Sequence, residues 1–431
     1  MIQVIINLLI IVFVLFYIAY YKLGFETSVF SISYLVYVHV SPTIVGLYEE
    51  GSNNYLIIQL LFFLFFFMPF FLFNKFGVKK RNVLEFKRNS SLNFKKQSLI
   101  ISCLTVIPIY YIHITLKYGL IYKRIGLGLV DILSSMNFQE RIAYKVFDWY
   151  SFFFIAALNY LYFVSRNKIV LFNLIIWFAI AFTSFLINSK LNLIVLVVML
   201  LYTSNRLDYK KLLNLKYLAL FGFVLLSLKA TNELRYSYTL VNGQMTFDRS
   251  EFISRIFMIN SENKGENENF FYRSNGVVLA SNLYEKVGIL NFDFDFFEHI
   301  YLMSFLGDDN YKLISKSKGN TAGKIFLQQK YLNDDSPDNY SCLLTDVFGA
   351  TGIFGLFILG LFLGWLFNFI RQLRIENNPR NRLFAIYLFS IFVFFESDIL
   401  SNFTKAVLFI IPTIVLARLI FPRVIQSKFS S

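Results

Sequence analysis

The sequence predicts an all-α polytopic membrane protein with about eleven transmembrane helices, within a range of ten to twelve, and one large extracytoplasmic loop between the eighth and ninth. Three observations carry that expectation. The 431 residues are 56% apolar and only 16% charged, with a mean hydropathy of +0.56, a balance foreign to soluble domains. Uncharged runs close to the roughly 20 residues that carry a helix across about 30 Å of hydrocarbon recur along the chain. Lys and Arg also concentrate in alternate loops, as the positive-inside rule requires of short cytoplasmic connections.

Residues 1–21, 27–48, 54–74, 98–116, 149–165, 169–189 and 191–205 supply the first seven spans. The eighth, 212–229, is interrupted only by Lys216, which can snorkel to the interface. Residues 347–370, 383–395 and 399–420 complete the series. None of these runs alternates as a β-barrel strand would. The first segment, MIQVIINLLI, lacks a basic start and a small-residue cleavage site, and is expected to be a retained helix.

Lys22, eight bases in 75–96, Arg166 and Lys168, four bases in 206–216, four in 371–382 and three after 417 place 22 cations on one side. The opposite loops hold Glu49 and Glu50, five bases between 117 and 145, Lys190, and the acidic turn from Glu396 to Asp398. The amino terminus is therefore expected outside and the carboxyl terminus in the cytoplasm. The chain divides into membrane helices over 1–230, an outer loop over 231–342, and the last helices with a short tail over 343–431. A net charge of +14 would suggest nucleic acid in a soluble chain, but its concentration in cytoplasmic loops points to the lipid bilayer and excludes nucleic acid as a partner.

The outer loop carries 11 Lys and Arg against 15 Asp and Glu, so it is polar and slightly acidic. It far exceeds the length, about 15 residues, at which structureless connections become uncommon without a function. Its stretches SNGVVLASNLY and FDFFEHIYLMSFL read as amphipathic surface helices. The chain contains no Walker A motif, dinucleotide fingerprint, nucleophile elbow or zinc-helix motif. Cys103 and Cys342 with His39, His113 and His299 form no ligand spacing, so neither metal nor cofactor is expected, and both thiols read as buried small hydrophobes.

Cations on the outer side run against the orientation bias. Lys190 stands at a very tight outer turn in FLINSKLNLIVLVVML, where it either anchors the interface or meets an anionic ligand. Arg235, Arg249, Arg255 and Arg273 lie in the outer loop, Arg273 in the aromatic context NFFYRSNG. A guanidinium can grip phosphate oxygens through two parallel hydrogen bonds, although a lone loop arginine more often makes a surface ion pair. Most outer carboxylates, Asp293 and Asp295 among them, read as solvated. Asp346 directly precedes the run VFGATGIFGLFILGLFLGWLFNFI and serves either as an N-cap or as a functional carboxylate at its outer mouth. His299 can act as a general base or be structural.

With a tight basic outer turn, a long arginine-bearing outer loop and a glycine-spaced helix in that order, residues 180–370 resemble the O-antigen or capsule repeat-unit polymerases (Wzy type), relatives of the O-antigen ligases. The motifs are NSKLNLIVLVVML, Arg235 and Arg273, and DNYSCLLTDVFGATGIFGLFILG with Gly349, Gly352, Gly355 and Gly360. The family's basic residue at the outer turn is arginine. Lys190 stands there, keeping the charge without the bidentate geometry. The ligases carry a histidine where DNYSCLLTD has none, which favours polymerase over ligase.

The resemblance implies a metal-independent glycosyltransferase of the bacterial cytoplasmic membrane that joins oligosaccharide repeats carried on undecaprenyl pyrophosphate. A chain-length regulator and a flippase are its implied partners. Lys190, Arg235, Arg255 and Arg273 would bind pyrophosphate and glycan, and Asp346 or His299 would take the acceptor hydroxyl's proton. The lipid tail would lie near the glycine-rich ninth span. A flippase for the same lipid, another membrane-embedded glycosyltransferase using the Glu49 and Glu50 pair, an O-antigen ligase and a structural or sensory protein are the competing readings. The gathering of ionisable groups outside, rather than at the midplane, counts against a transporter.

Overall fold

The computed structural model describes residues 2–21, 24–35, 52–74, 94–118, 136–188, 190–203, 238–241, 244–247, 283, 286–287, 291–298, 330, 343–375, 378–393 and 399–420. The helices are α1 (Ile2–Tyr21), α2 (Phe25–Leu35), α3 (Ser52–Asn74), α4 (Phe94–Leu104), α5 (Val106–Lys117), α6 (Phe138–Ser165), α7 (Lys168–Asn188), α8 (Lys190–Thr203), α9 (Leu343–Ile375), α10 (Pro379–Phe392) and α11 (Ile399–Ile420). A further turn of helix covers 294–298, inside one of the stretches expected to be helical. Strands β1 (Tyr238–Val241) and β2 (Gln244–Phe247) form an antiparallel pair with Tyr238 opposite Phe247, an addition to the all-α expectation. The expected eighth span lies outside the described residues. Two stretches, Ser98–Lys117 and Asp346–Ile375, are long and apolar enough to cross a membrane, and shorter apolar helices include Leu60–Leu72, Tyr150–Ser165 and Lys168–Ser184.

The chain forms two compact units: residues 1–85 with 267–417, and residues 86–266 with 418–431. In the first, α3 packs along α9, and α1, α2 and α10 complete the surroundings. Phe30, Tyr34, Phe62, Phe63, Phe66 and Phe367 are fully buried there. The Phe30 ring lies 5.2 Å from Phe66 and 4.8 Å from Phe367, within the range of favourable aromatic pairs. Glycine decides how closely α3 approaches. A Cβ on Gly364 would overlap the Phe66 carbonyl oxygen, and one on Gly360 would lie 2.8 Å from Phe65 Cβ and 3.1 Å from the Phe66 amide nitrogen. The α3 backbone thus occupies a notch made by two glycines four residues apart, and close packing replaces side-chain interdigitation.

In the second unit α6 packs against α5, α7 and α8, and α7 against α4, α5 and α8. Helix α6 begins at Phe138, about three turns before the uncharged run of the sequence, because Asn137 and Glu140 close a capping box. The Asn137 side chain accepts from the Glu140 amide at 2.9 Å, and the Glu140 carboxylate accepts from the Asn137 amide at 3.2 Å. The expected fourth span is broken at Thr105 into α4 and α5. Pro108 explains the break, since it brings no N–H to the Leu104 carbonyl and its ring crowds that oxygen. The Thr105 hydroxyl shares its one proton between the Ser102 carbonyl at 2.6 Å and the Oδ1 of Asn173 on α7.

Exposed apolar stripes run along helices of both units. On α1, Ile5, Leu8, Leu9, Val12 and Phe16 follow the three-and-four spacing of one face, as do Phe354, Ile358, Phe362 and Trp365 on α9. In the second unit Val106, Ile109, Ile112 and Leu116 line α5, and Ile169, Phe172 and Ile175 line α7. Cys103 is also exposed, contrary to the expectation of a buried thiol, because it lies on α4 beside exposed Leu99 and Val106. Cys342 lies outside the described residues.

Candidate functional site

Helix α9 is not continuous near its amino-terminal end. Gly352 takes φ 65° and ψ −154°, a backbone region open essentially only to glycine, and it interrupts the ladder one turn and a half after Asp346. In an unbroken helix the carbonyls of Gly349 and Ala350 would accept from the amides of residues 353 and 354. Here the 291–298 segment reaches them: Asn291 Nδ2 donates to Gly349 O at 3.1 Å, and the Asp293 amide donates to Ala350 O at 2.9 Å. Thr351 closes its own turn onto the Val347 carbonyl at 2.6 Å, and its side chain fills the space where a Cβ on Gly355 would stand.

Asp293 is the hub of this seat. Its carboxylate is fully buried and accepts from the Phe296 amide at 3.1 Å, capping the turn 294–298, and from Lys330 Nζ at 2.7 Å. Lys330 also reaches Asp295 Oδ2 at 2.9 Å. Partial burial by itself would lower the Lys330 pKa, but hydrogen bonds and charge from Asp293 and Asp295 hold it above its ordinary value. A cation so neutralised is a clasp for the segment, not a seat for an anion.

Asp346 stands in the first turn of α9 and is fully buried. A carboxylate there is favoured by the positive end of the helix. The geometry therefore assembles a buried carboxylate, a broken helical turn and a clasped segment of phenylalanine and carboxylate residues at one helix entrance. At the other end of α9, Arg374 Nε lies 2.8 Å from Oε1 of fully buried Glu26 on α2, an ion pair by distance without hydrogen-bond direction. A Cβ on Gly24 would lie 2.9 Å from both Glu26 Oε2 and Arg371 Cδ, so the absence of a side chain at Gly24 lets these groups converge.

Of the expected site residues, Asp346 is at this entrance and Lys190 is the first residue of α8, where its backbone alone is described. Arg235, Arg255, Arg273 and His299 lie outside the described residues, as do Arg249 and the Glu49 and Glu50 pair. Asp293, read as solvated, is buried because Lys330 and the Phe296 amide replace its water. Among the described residues no three His, Cys, Asp or Glu side chains gather as a metal site. Gly360 faces α3, so at that level the glycine face is filled by a helix rather than open to a lipid tail. Comparison with protein-family models, with curated proteins and with solved structures finds no match for this chain.

Proposed function

We propose that the chain is a polytopic membrane glycosyltransferase that polymerises lipid-pyrophosphate-linked oligosaccharide repeats on the outer face of the bacterial cytoplasmic membrane. The exposed apolar stripes of both units support its membrane setting, because contiguous apolar surface of this extent needs an apolar solvent. The observation that carries the reading is buried Asp346 at the entrance of α9, with a segment of the expected outer loop, rich in phenylalanine and carboxylates, seated on the turn that follows it. A group-transfer enzyme needs a carboxylate in a desolvated place beside a surface that can hold sugar.

In this reading an acceptor sugar hydroxyl gives its proton to Asp346, or to His299. Its oxygen bonds to the donor's anomeric carbon, and the bond from that carbon to the pyrophosphate oxygen breaks. The lipid pyrophosphate leaves with the electron pair, its charge met by Lys190, Arg235, Arg255 and Arg273. The donor is already activated, so positioning and charge stabilisation account for the catalysis.

A deletion strain complemented at matched membrane levels tests this. Wild type is expected to restore long surface glycans, whereas Asp346→Asn and Arg273→Ala leave glycans of one repeat unit. Loss of even the single unit in the deletion strain, with lipid-linked repeats retained inside, would overturn the polymerase reading in favour of a flippase.

A further inference from the structure

The break at Thr105 opens a groove of about 400 Å³ between α4, α5 and α7, within the range of roughly 300–1,000 Å³ typical of small-ligand sites. Its floor is Thr105 and Asn173, both buried, with the threonine hydroxyl donating to the asparagine Oδ1. Asn173 donates in turn to the Ile169 carbonyl at 2.8 Å, so the floor satisfies itself and asks nothing polar of an occupant. The walls are the exposed side chains of Val106, Ile109 and Phe172. At the mouth stands Lys168, the first residue of α7.

Lys168 is a cation at the positive end of a helix dipole, and no carboxylate among the described residues pairs with it. The Asn167 side chain donates to Ser98 Oγ at 2.9 Å, fixing the start of α4 beside the start of α7. The charge rule assigns this end to the cytoplasmic leaflet. An apolar trough with a cation at its mouth is complementary to an acyl chain headed by an anion.

We propose that this groove binds an anionic diacyl phospholipid of the cytoplasmic leaflet, with the headgroup phosphate at Lys168 and an acyl chain along Val106, Ile109 and Phe172. The proposal rests on the membrane reading above but not on the polymerase chemistry, which is placed on the opposite leaflet. Each basic residue near an anionic lipid contributes about 1 kcal/mol, so removal of Lys168 is expected to change affinity about five-fold.

Fluorescence quenching in lipid nanodiscs tests it, since the protein has three tryptophans, Trp149, Trp177 and Trp365. Trp177 is buried next to groove-lining Ile176, and Trp365 lies on the exposed face of α9. In a W149F/W365F background, phosphatidylglycerol brominated on its acyl chain is expected to quench Trp177 at about five-fold lower mole fraction than brominated phosphatidylcholine. Lys168→Gln, a change at an exposed position, should remove that difference, and Ser102→Phe, which fills the groove, should remove the steep quenching by either lipid. Equal quenching by the two lipids, or a difference that survives Lys168→Gln, overturns the proposal. In a W149F/W177F background both lipids should quench Trp365 alike. No quenching of Trp365 by either would show that the membrane reading itself has failed, and the groove's occupant with it.

Discussion

The α3–α9 pair of one compact unit and the helices of the other are held together by different means. In the first, α3 and α9 meet backbone to backbone through Gly360 and Gly364, and phenylalanine rings fill the remaining space. In the second, side-chain hydrogen bonds cross between helices: Thr105 to Asn173, Tyr111 with Ser184 at 2.6 Å, Asn159 to Thr203 at 2.7 Å, and Asn167 to Ser98 at 2.9 Å. In the membrane setting proposed above, helices cannot gain from hiding apolar surface and have these two resources, close contact through small residues and polar bonds between neighbours. Close contact depends steeply on shape and admits no added atom. Polar bonds are individually weak but tolerate adjustment, because a deprived asparagine can find another acceptor.

The contrast can be broken most sharply at Gly364. Gly364→Leu drives a side chain into the Phe66 carbonyl, and since the obstacle is backbone, a loss of about 3 kcal/mol is expected. Hydrogen exchange read separately for the two units should show α3 and α9 opening while α6 and α7 keep their protection. Next in size is Arg374→Ala, which leaves Glu26 buried without its cation. Because the Arg374 side chain is 33% exposed, the usual cost of breaking a buried pair is discounted to about 2 kcal/mol. Adding Glu26→Gln should recover part of it in thermal unfolding, and an absence of recovery would mean that the pair does not couple.

In the second unit Asn159→Leu should cost only about 0.6 kcal/mol, the usual scale of an interhelical side-chain bond in apolar surroundings. Thr203 remains satisfied by the Met199 carbonyl at 3.1 Å. A loss as large as at Gly364 would erase the contrast. The smallest effect is expected from pH. Hydrogen bonds from Lys117 and Tyr118 pull the Glu140 carboxyl from 4.5 down to about 2. A lowered folded value means that the contribution is complete above about pH 4.5 and fades as the pH falls toward 2. Glu140→Gln should flatten the dependence of α6 protection between those limits, and added salt should weaken it, since Lys117 is half exposed.

Much of the helical plan was legible because long apolar runs permit little else. The run 54–74 became α3 (Ser52–Asn74), 169–189 became α7 (Lys168–Asn188), and 399–420 coincides with α11 (Ile399–Ile420). What escaped was local chemistry overriding hydropathy. Asn137 and Glu140 start α6 among charged residues, Pro108 splits one run into α4 and α5, and Gly352 breaks α9 inside an uncharged stretch. Each carried a signal: a capping spacing, a proline and a glycine. The strand pair carried one too, an Asn-Gly dipeptide at 242–243 between two short runs.

The candidate site was less legible than the helices. Asp346 could be found because it borders an apolar run, so its position alone marked it. Asp293 could not, since Lys330 lies 37 residues away and no periodicity joins them. The pairing of Glu26 with Arg374 is equally silent, because it depends on α2 lying against the far end of α9.

The turn at Gly352 has a consequence for how α9 responds to load. Straightening the helix would return the Gly349 and Ala350 carbonyls to amides of their own helix and release Asn291 and the Asp293 amide, so it exchanges donors without changing the number of bonds at these two carbonyls. Bond count therefore offers little preference between the two arrangements, and glycine's wide torsional range removes the usual steric veto. The balance then depends on what the 291–298 segment gains from Lys330, a side chain far away in sequence. In mechanical terms the first two turns of α9 are a latch, and the ammonium group of Lys330 is its catch.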